Sequence, residues 1–129
     1  MRELMDAPPR SVLVVDDEPS MRFLCRVNLE LEGHGVHEAA TVADARERLS
    51  EGGVDVVLLD MHIGTESGLD LLDHIEALEL PVRVVVLSGT SEITPQVRAR
   101  VHGVLGKPFA LEDLAAAVCD QRSGSLNGR

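Results

Sequence analysis

Short, nearly continuous apolar runs alternate along the chain with longer segments whose apolar positions recur at helical spacing. The strongest runs are Ser11–Val15, Val54–Leu59 and Val82–Leu87, and weaker runs lie at Val36–Ala39 and Val104–Gly106. Apolar runs of this length are typical of parallel strands that are covered on both faces. We therefore predict five strands.

Helical segments fill the gaps between these runs. Pro19 suits the first turn of a helix that ends near Leu31, because the N–H that proline lacks is not needed there. Thr41 can cap a second helix that reaches Ser50. Two further apolar stripes predict a helix over Gly68–Leu80, ended by Pro81, and a last helix near the end of the chain; their members are Leu71, Leu72, Ile75 and Leu78, and Leu111, Leu114, Ala115 and Val118.

Five strands that alternate with helices predict an α/β fold, a doubly wound five-stranded parallel sheet with right-handed crossovers and helices on both faces. In such a sheet, ligands bind beyond the carboxyl ends of the strands, near the point where the strand order reverses. The residues that directly follow the strands are therefore the candidates for a functional site.

Composition limits the possible functions. A chain of 129 residues is sufficient for one domain. We find no apolar run near the roughly 18–20 residues that span a bilayer and no apolar signal-peptide core at the start, so we expect a cytoplasmic protein. The net charge of −10 opposes binding to nucleic acid or to an anionic membrane.

Cysteine and histidine spacing gives no metal-ligand pattern of its own. Cys25 and Cys119 both lie in predicted helices among apolar neighbours, which favours buried, reduced thiols. A redox pair would require both helices to lie on the same side of the sheet. We predict ordinary surface or helix-end positions for four of the histidines: His34, His37, His74 and His102.

Polar and charged residues follow four of the five predicted strands. Asp16 and Asp17 follow the first strand, Asp60 the third, Ser88 the fourth, and Lys107, the single lysine of the chain, the fifth. Two carboxylates about 5 Å apart repel each other by about 3 kcal/mol at an effective dielectric of about 20, so such a cluster needs a cation or protons. Hard oxygen ligands suit Mg²⁺. Helix capping and loop solubility are the alternative explanation, strongest for Ser88 taken alone.

Five segments in order resemble the receiver domains of two-component response regulators. The resemblance covers roughly residues 10–122, which we expect to form one receiver domain, with flexible termini at 1–9 and 123–129. It implies a stand-alone receiver with the flavodoxin-like strand order 2-1-3-4-5. The segments that carry it are Val12–Pro19, Val56–Met61, Gly68-Leu69, Val86–Gly89 and Gly106–Phe109.

The resemblance assigns a metal-dependent phosphoacceptor. Asp60 matches the residue that accepts a phosphoryl group from a histidine kinase or a histidine phosphotransfer protein. Asp16 and Asp17 match the acidic pair that holds Mg²⁺ together with Asp60, and the backbone carbonyl of His62 would complete the protein ligands. The side chain of His62 is expected to be an exposed loop group or to line the pocket.

Three other residues also match the family. Lys107 matches the lysine that pairs with phosphate oxygens, and Ser88 matches the hydroxyl that reports phosphorylation. The family pattern places a cis peptide bond before Pro108. The resemblance thus implies a signalling domain that assists its own phosphorylation and dephosphorylation rather than an enzyme, and that acts as a monomer or weak dimer on a downstream effector protein.

The chain departs from the family at three places. Val104 stands where an aromatic side chain usually swings with the hydroxyl, so the output is expected to differ. The stretch from Ser88 to Lys107 is short, which predicts a fourth helix over only Pro95–Val101, capped by Thr94. Gly64 replaces a usual proline, which is expected to loosen the loop after Asp60.

Two other functions remain possible from the sequence. A pseudo-receiver would keep an idle site and dock constitutively to a protein, and the missing aromatic at Val104 favours it slightly. A phosphatase of the haloacid-dehalogenase type would also use Asp60 as its nucleophile. That class needs a second acid where this chain has His62, and it leaves Asp16 and Asp17 without a role.

Overall fold

The computed structural model describes residues 9–89 and 93–119; of the predicted flexible termini, residues 1–8 and 123–129 lie outside these ranges. Seven strands and five helices follow one another along the described chain. The strands are β1 (Ser11–Val15), β2 (Gly35–Ala39), β3 (Val56–Asp60), β4 (His62–Ile63), β5 (Glu66–Ser67), β6 (Arg83–Ser88) and β7 (Gly103–Gly106). The helices are α1 (Pro19–Leu31), α2 (Val42–Ser50), α3 (Gly68–Ala77), α4 (Pro95–Arg98) and α5 (Leu111–Cys119).

Five of the strands form one parallel sheet in the order β2-β1-β3-β6-β7. Without the short β4 and β5, this is the order 2-1-3-4-5 that the family resemblance implies. The α/β prediction and the strand order are both confirmed. The order reverses between β1 and β3, so the carboxyl ends of these two central strands lie side by side.

Helices cover both faces of the sheet, and successive strand residues alternate between two apolar clusters. On one face, α1 and α5 contribute Cys25, Leu29, Leu114 and Val118. On the other face, α2, α3 and α4 contribute Val42, Ala45, Leu49, Leu71, Leu72, Ile75 and Val97. Among the described helices, none combines the length and the apolar character that crossing a membrane requires.

The predicted helix starts are confirmed by their caps. Pro19 occupies the first turn of α1, and the hydroxyls of Thr41 and Thr94 accept N–H bonds from the first turns of α2 and α4. The end of α1 at Leu31 is also as predicted. Gly33, which follows the C-cap residue Glu32, adopts a φ of 98°. Such a left-handed position suits glycine, which has no Cβ to clash.

The predicted end of α3 at Leu80 is wrong, since the helix ends at Ala77. Glu79 adopts a φ of 52° and donates its N–H to the carbonyl of Glu76, while the N–H of Leu80 reaches the carbonyl of Ile75. These two bonds form a Schellman ending, which leaves Leu78 exposed instead of on the apolar stripe. Pro81, from which the end of this helix was predicted, therefore lies beyond its last residue, Ala77.

The fourth helix is shorter still than the predicted Pro95–Val101, because α4 ends at Arg98. The N–H of Arg100 bonds to the carbonyl of Val97 in a tighter turn, and the N–H of His102 already pairs with the carbonyl of Val84 in β6. Arg100 also forms ion pairs with Asp73 and Glu76 of α3. The chain is thus drawn into β7 after one helical turn.

The loop after Asp60 forms a small antiparallel hairpin that the sequence did not predict. Within it, Ile63 pairs with Glu66 across Gly64 and Thr65, and Gly64 has a φ of 63°. A two-residue hairpin of this kind needs a left-handed residue at its first central position, and proline cannot adopt that conformation. Gly64 therefore forms a defined turn here, contrary to the expected loosening of the loop.

His34 takes a helix-end position, one of the two that were predicted, because its N–H donates to the carbonyl of Leu29 at the end of α1; the cysteine alternatives are resolved in part. His34 is buried, and its Nδ1 accepts the N–H of Arg10 at 2.9 Å. Cys25 is fully buried, and burial raises the pKa of its thiol to about 11. Cys119 is partly exposed, with its Sγ 3.6 Å from Nε2 of His34. The two helices share one face of the sheet, but neither cysteine is in a disulfide.

Candidate functional site

The carboxyl ends of four parallel strands bring the predicted site residues to one edge of the sheet. Asp16 follows β1, Asp60 ends β3, Ser88 ends β6, and Lys107 follows β7. Carboxylate oxygens of Asp16, Asp17 and Asp60 all lie within 4.8 Å of one another. The crowding of acids expected from the sequence is therefore present in the fold.

Asp16 is the most tightly held of these acids. Its side chain is fully buried, and its Oδ1 accepts the N–H of Glu18 at 2.9 Å. Its backbone N–H donates to the carbonyl of Ala39 in the neighbouring strand, and its carbonyl accepts from Nη1 of Arg22 at 2.7 Å. These contacts fix the carboxylate at the floor of the site.

Asp60 is more exposed than Asp16 and is half-buried. Its Oδ1 accepts the backbone N–H of His62 at 3.2 Å, and its Oδ2 is 3.6 Å from Nζ of Lys107. Burial raises the pKa of Asp60 above its usual value, and the negative charge of Asp16 adds to this, while the His62 N–H and the Lys107 ammonium act in the opposite direction. Without a metal ion, ionisation of Asp60 is therefore less favourable than that of an exposed aspartate.

Lys107 supplies positive charge to the cluster from the far strand. Its Nζ lies 3.4 Å from Oδ2 of Asp16 as well as 3.6 Å from Asp60, so one ammonium group serves two acids. The Lys107-Pro108 peptide bond is cis, as the resemblance implies. The backbone N–H of Lys107 donates to the carbonyl of Ser88 at 2.6 Å, which joins the ends of β6 and β7 beside the acids.

The acidic cluster fits a small divalent cation. Asp17 is exposed and contributes a third carboxylate. The candidate ligand atoms therefore belong to the buried Asp16, the exposed Asp17 and the half-buried Asp60. All three are hard oxygen donors that leave room for water, which is the donor set Mg²⁺ prefers. A cation there would also relieve the mutual repulsion of the carboxylates.

The other predicted residues take different positions. Ser88 is buried at the end of β6, with 4% of its surface exposed. The adjoining Gly89 is exposed, and among the described residues a Cβ there would meet no atom closer than Cβ of Lys107 at 3.9 Å. The side chain of His62 is exposed, and its backbone N–H is the atom that contacts Asp60. The role of the His62 carbonyl as a metal ligand stays a prediction.

Sequence reasoning found Gly68 as part of a motif but not its contact with the site. A Cβ built on Gly68 would lie 2.6 Å from the carbonyl oxygen of Asp60 and 3.0 Å from Cα of Met61. Only glycine allows α3 to begin this close to the end of β3. A close approach between residues that are not adjacent in the sequence leaves no local signal in it.

Comparisons with known proteins agree with this fold. Residues 12–119 match the family described as the response regulator receiver domain. The transcriptional regulatory protein KdpE of Mycobacterium tuberculosis is 35% identical over 108 residues, which cover 81% of this chain and 47% of that protein. The sporulation initiation phosphotransferase F of Bacillus subtilis is 27% identical, over 83% of this chain and 89% of that protein. This chain spans about half the length of KdpE.

Solved structures show the same fold. The receiver domain of NtrX from Brucella abortus superposes with a TM-score of 0.77 at 28% identity, over 86% of this chain and 99% of that one. The signal receiver domain of a putative Luxo repressor protein from Vibrio parahaemolyticus gives a TM-score of 0.79 at 23% identity, over 86% and 88% of the two chains.

Proposed function

Because the chain belongs to the family of response regulator receiver domains, we propose that it works in the cytoplasm as a Mg²⁺-dependent signalling switch. In this proposal, Asp60 accepts a phosphoryl group from a histidine kinase or a histidine phosphotransfer protein. The modified domain then changes the surface that it presents to a downstream effector protein. Its net charge of −10 favours a protein effector over direct contact with nucleic acid.

One observation carries this proposal. The carboxylate of Asp60 is half-buried at the sheet edge, between two further carboxylates and the single lysine of the chain. This proximity supports the proposal, in which Asp60 is the nucleophile, the three carboxylates hold the metal and Lys107 pairs with the transferred group. An idle site with constitutive docking would not require all of these side chains to converge, so we do not favour the pseudo-receiver.

Phosphoryl transfer at this site would require little covalent chemistry from the protein beyond the nucleophile. A carboxylate oxygen of Asp60 forms a bond to phosphorus as the N–P bond of the donor phosphohistidine breaks, and the departing imidazole takes up a proton. Bound Mg²⁺ would supply positive charge to the phosphoryl oxygens. Lys107, whose Nζ lies 3.6 Å from Oδ2 of Asp60, would pair with the same oxygens. The open space at Gly89 would admit the donor side chain.

Output would begin at the end of β6. Ser88 is buried there, and its backbone carbonyl accepts the backbone N–H of Lys107, so the ends of β6 and β7 are joined at this point. We propose that the hydroxyl of Ser88 moves toward the new phosphoryl group and shifts the segment that follows it. Val104 is half-buried and packs against the apolar cluster that contains Val97 of α4. In this chain, aliphatic packing would replace a rotating aromatic ring in the response.

Intact-mass measurement after incubation with acetyl phosphate and Mg²⁺ tests the proposal. The wild type should gain the mass of one phosphoryl group, and Asp60→Asn should gain none. Asp44→Asn, an exposed position on α2, is the matched control and should be labelled like the wild type. Labelling of Asp60→Asn to the wild-type level, or no labelling of the wild type with any phosphodonor, would contradict the assignment.

A further inference from the structure

We propose that Gly68 is a positioning residue of the acidic site, which sets the geometry of Asp60 and of the metal ligands beside it. This inference rests on the proposed function, since it concerns the same Mg²⁺-dependent site. Gly68 does not touch the reacting groups itself. It acts through two backbone contacts that connect the start of α3 with the carboxylate of Asp60.

The first contact is steric. A Cβ at Gly68 would lie 2.6 Å from the carbonyl oxygen of Asp60, 3.0 Å from Cα of Met61 and 3.3 Å from Cγ of Leu59. The two shorter distances are to main-chain atoms, which cannot turn aside as a flexible side chain can. Any larger residue must therefore push the end of β3 and the start of α3 apart.

The second contact passes the displacement on to the carboxylate. The N–H of Gly68 donates to the carbonyl of Met61 at 2.8 Å, and the next N–H along the chain, that of His62, donates to Oδ1 of Asp60 at 3.2 Å. A shift of Met61 moves His62 with it. The hydrogen bond that orients the Asp60 carboxylate thus depends on how closely Gly68 approaches.

The β4–β5 hairpin, which connects Met61 with Gly68, is held in position by two hydrogen bonds. The Oε1 atom of Glu66 accepts the N–H of Val42 at 3.0 Å and so ties β5 to the start of α2. The hydroxyl of Ser67 accepts the N–H of Leu69 and caps α3. With the hairpin held at its far side, the displacement caused by a side chain at position 68 falls on Met61 and His62.

Gly68→Ala tests the inference, with Gly35→Ala as the matched control. Gly35 lies in a strand, its φ is not left-handed, and a Cβ there would meet no atom of residues 9–89 and 93–119 within 4 Å. Isothermal titration with MgCl₂ should show binding weakened about tenfold or more in Gly68→Ala, the range typical when a support of a metal ligand is removed, and unchanged in Gly35→Ala. Labelling by acetyl phosphate should slow in the same variant.

A second readout uses the metal-free protein. Amide hydrogen exchange of His62 should be faster in Gly68→Ala than in the wild type, because its bond to Oδ1 of Asp60 is lengthened. A purely structural role of Gly68 would lower the unfolding temperature and leave both the Mg²⁺ affinity and the His62 exchange rate, relative to neighbouring amides, unchanged. If the variant unfolds in buffer, both measurements are made in trimethylamine oxide, which favours the folded state.

Three outcomes would overturn the inference: wild-type Mg²⁺ affinity in Gly68→Ala, wild-type exchange at His62, or a variant that stays unfolded in the osmolyte, which would make Gly68 a requirement of the fold. Failure of the proposed function is a different result. In that case the wild type and Gly35→Ala would themselves show neither Mg²⁺ binding nor labelling.

Discussion

The Nζ atom of Lys107 lies 3.4 Å from Oδ2 of the fully buried Asp16, although the two residues are 91 positions apart in the sequence. The lysine side chain is 21% exposed, and that of Asp16 is 1% exposed. A buried carboxylate needs a charge or hydrogen-bond partner to remain ionised. A change at Lys107 should therefore alter the stability of the fold as well as the charge of the site.

Replacing Lys107 by methionine should lower the free energy of unfolding by about 1–3 kcal/mol in metal-free buffer, because Asp16 loses a charged partner. Addition of MgCl₂ should raise the free energy of unfolding more in the variant than in the wild type. In the variant, no ammonium group offsets the negative charge of the three carboxylates. Urea unfolding followed by far-UV circular dichroism is the measurement, as the chain contains neither Trp nor Tyr. Arg46→Met, at an exposed helical position, is the control; an equal loss in both variants would contradict the coupling.

Asp60→Asn should stabilise the protein at pH 7 in the presence of a chelator. The pKa of Asp60 is raised in the folded state, chiefly by burial, so the ionised carboxylate costs stability at neutral pH, and this cost vanishes as the pH falls below the unfolded value. We expect a gain of about 1 kcal/mol, as only part of the repulsion between neighbouring carboxylates is relieved. The same urea experiment checks it. A variant less stable than wild type, with exposed Glu47→Gln unchanged, would contradict a cost of the ionised Asp60 carboxylate.

Gly64→Pro should destabilise the fold, even though proline at this place is usual in the family that the sequence resembles. The φ of 63° at Gly64 is outside the range of proline, whose ring fixes φ near −65°. Forcing a residue into the wrong region costs on the order of 1–3 kcal/mol. Thermal unfolding should show a lower midpoint for Gly64→Pro and a smaller change for Gly64→Asn, because asparagine tolerates the left-handed region. Equal midpoints for wild type and Gly64→Pro would refute the hairpin.

His34 should make the fold sensitive to mild acid. Burial lowers the pKa of His34 from 6.5, and its Nδ1 must stay unprotonated to accept the N–H of Arg10. Below pH 6.5 the unfolded chain binds the proton more readily, so the free energy of unfolding is at its full value above this pH and falls as the pH decreases toward the folded pKa.

Chemical unfolding of the wild type and of His34→Gln between about pH 7 and pH 5 measures this effect. The slope of stability against pH should be smaller in His34→Gln, because glutamine can accept the same hydrogen bond without titrating. His37→Gln, at an exposed ring, is the matched control. Parallel curves for wild type and His34→Gln would exclude His34 as the source.

Much of the fold was predictable because its signals are local. The apolar runs of β1, β3 and β6 are covered on both faces, and Pro19, Thr41 and Thr94 act within one turn of their own helices. The site was predictable in outline for a related reason, since parallel strands bring their carboxyl ends to one edge whatever the loops do.

The features that were missed depend on contacts between distant residues or on short segments. The hairpin of β4 and β5 has only two residues in each strand, too few to show a periodic pattern. The burial of His34 depends on Arg10, which is 24 positions away. Gly68 is informative only once the carbonyl of Asp60 is seen beside it.

The position of Lys107 has a practical consequence for laboratory work on this protein. It carries the only lysine side chain in the sequence, and that amine is shared by two carboxylates of the site. Reagents that acylate lysine, including those used to attach proteins to sensor surfaces or to fluorescent dyes, would therefore modify the centre under study. Attachment chemistry should instead be directed away from the carboxyl edge of the sheet.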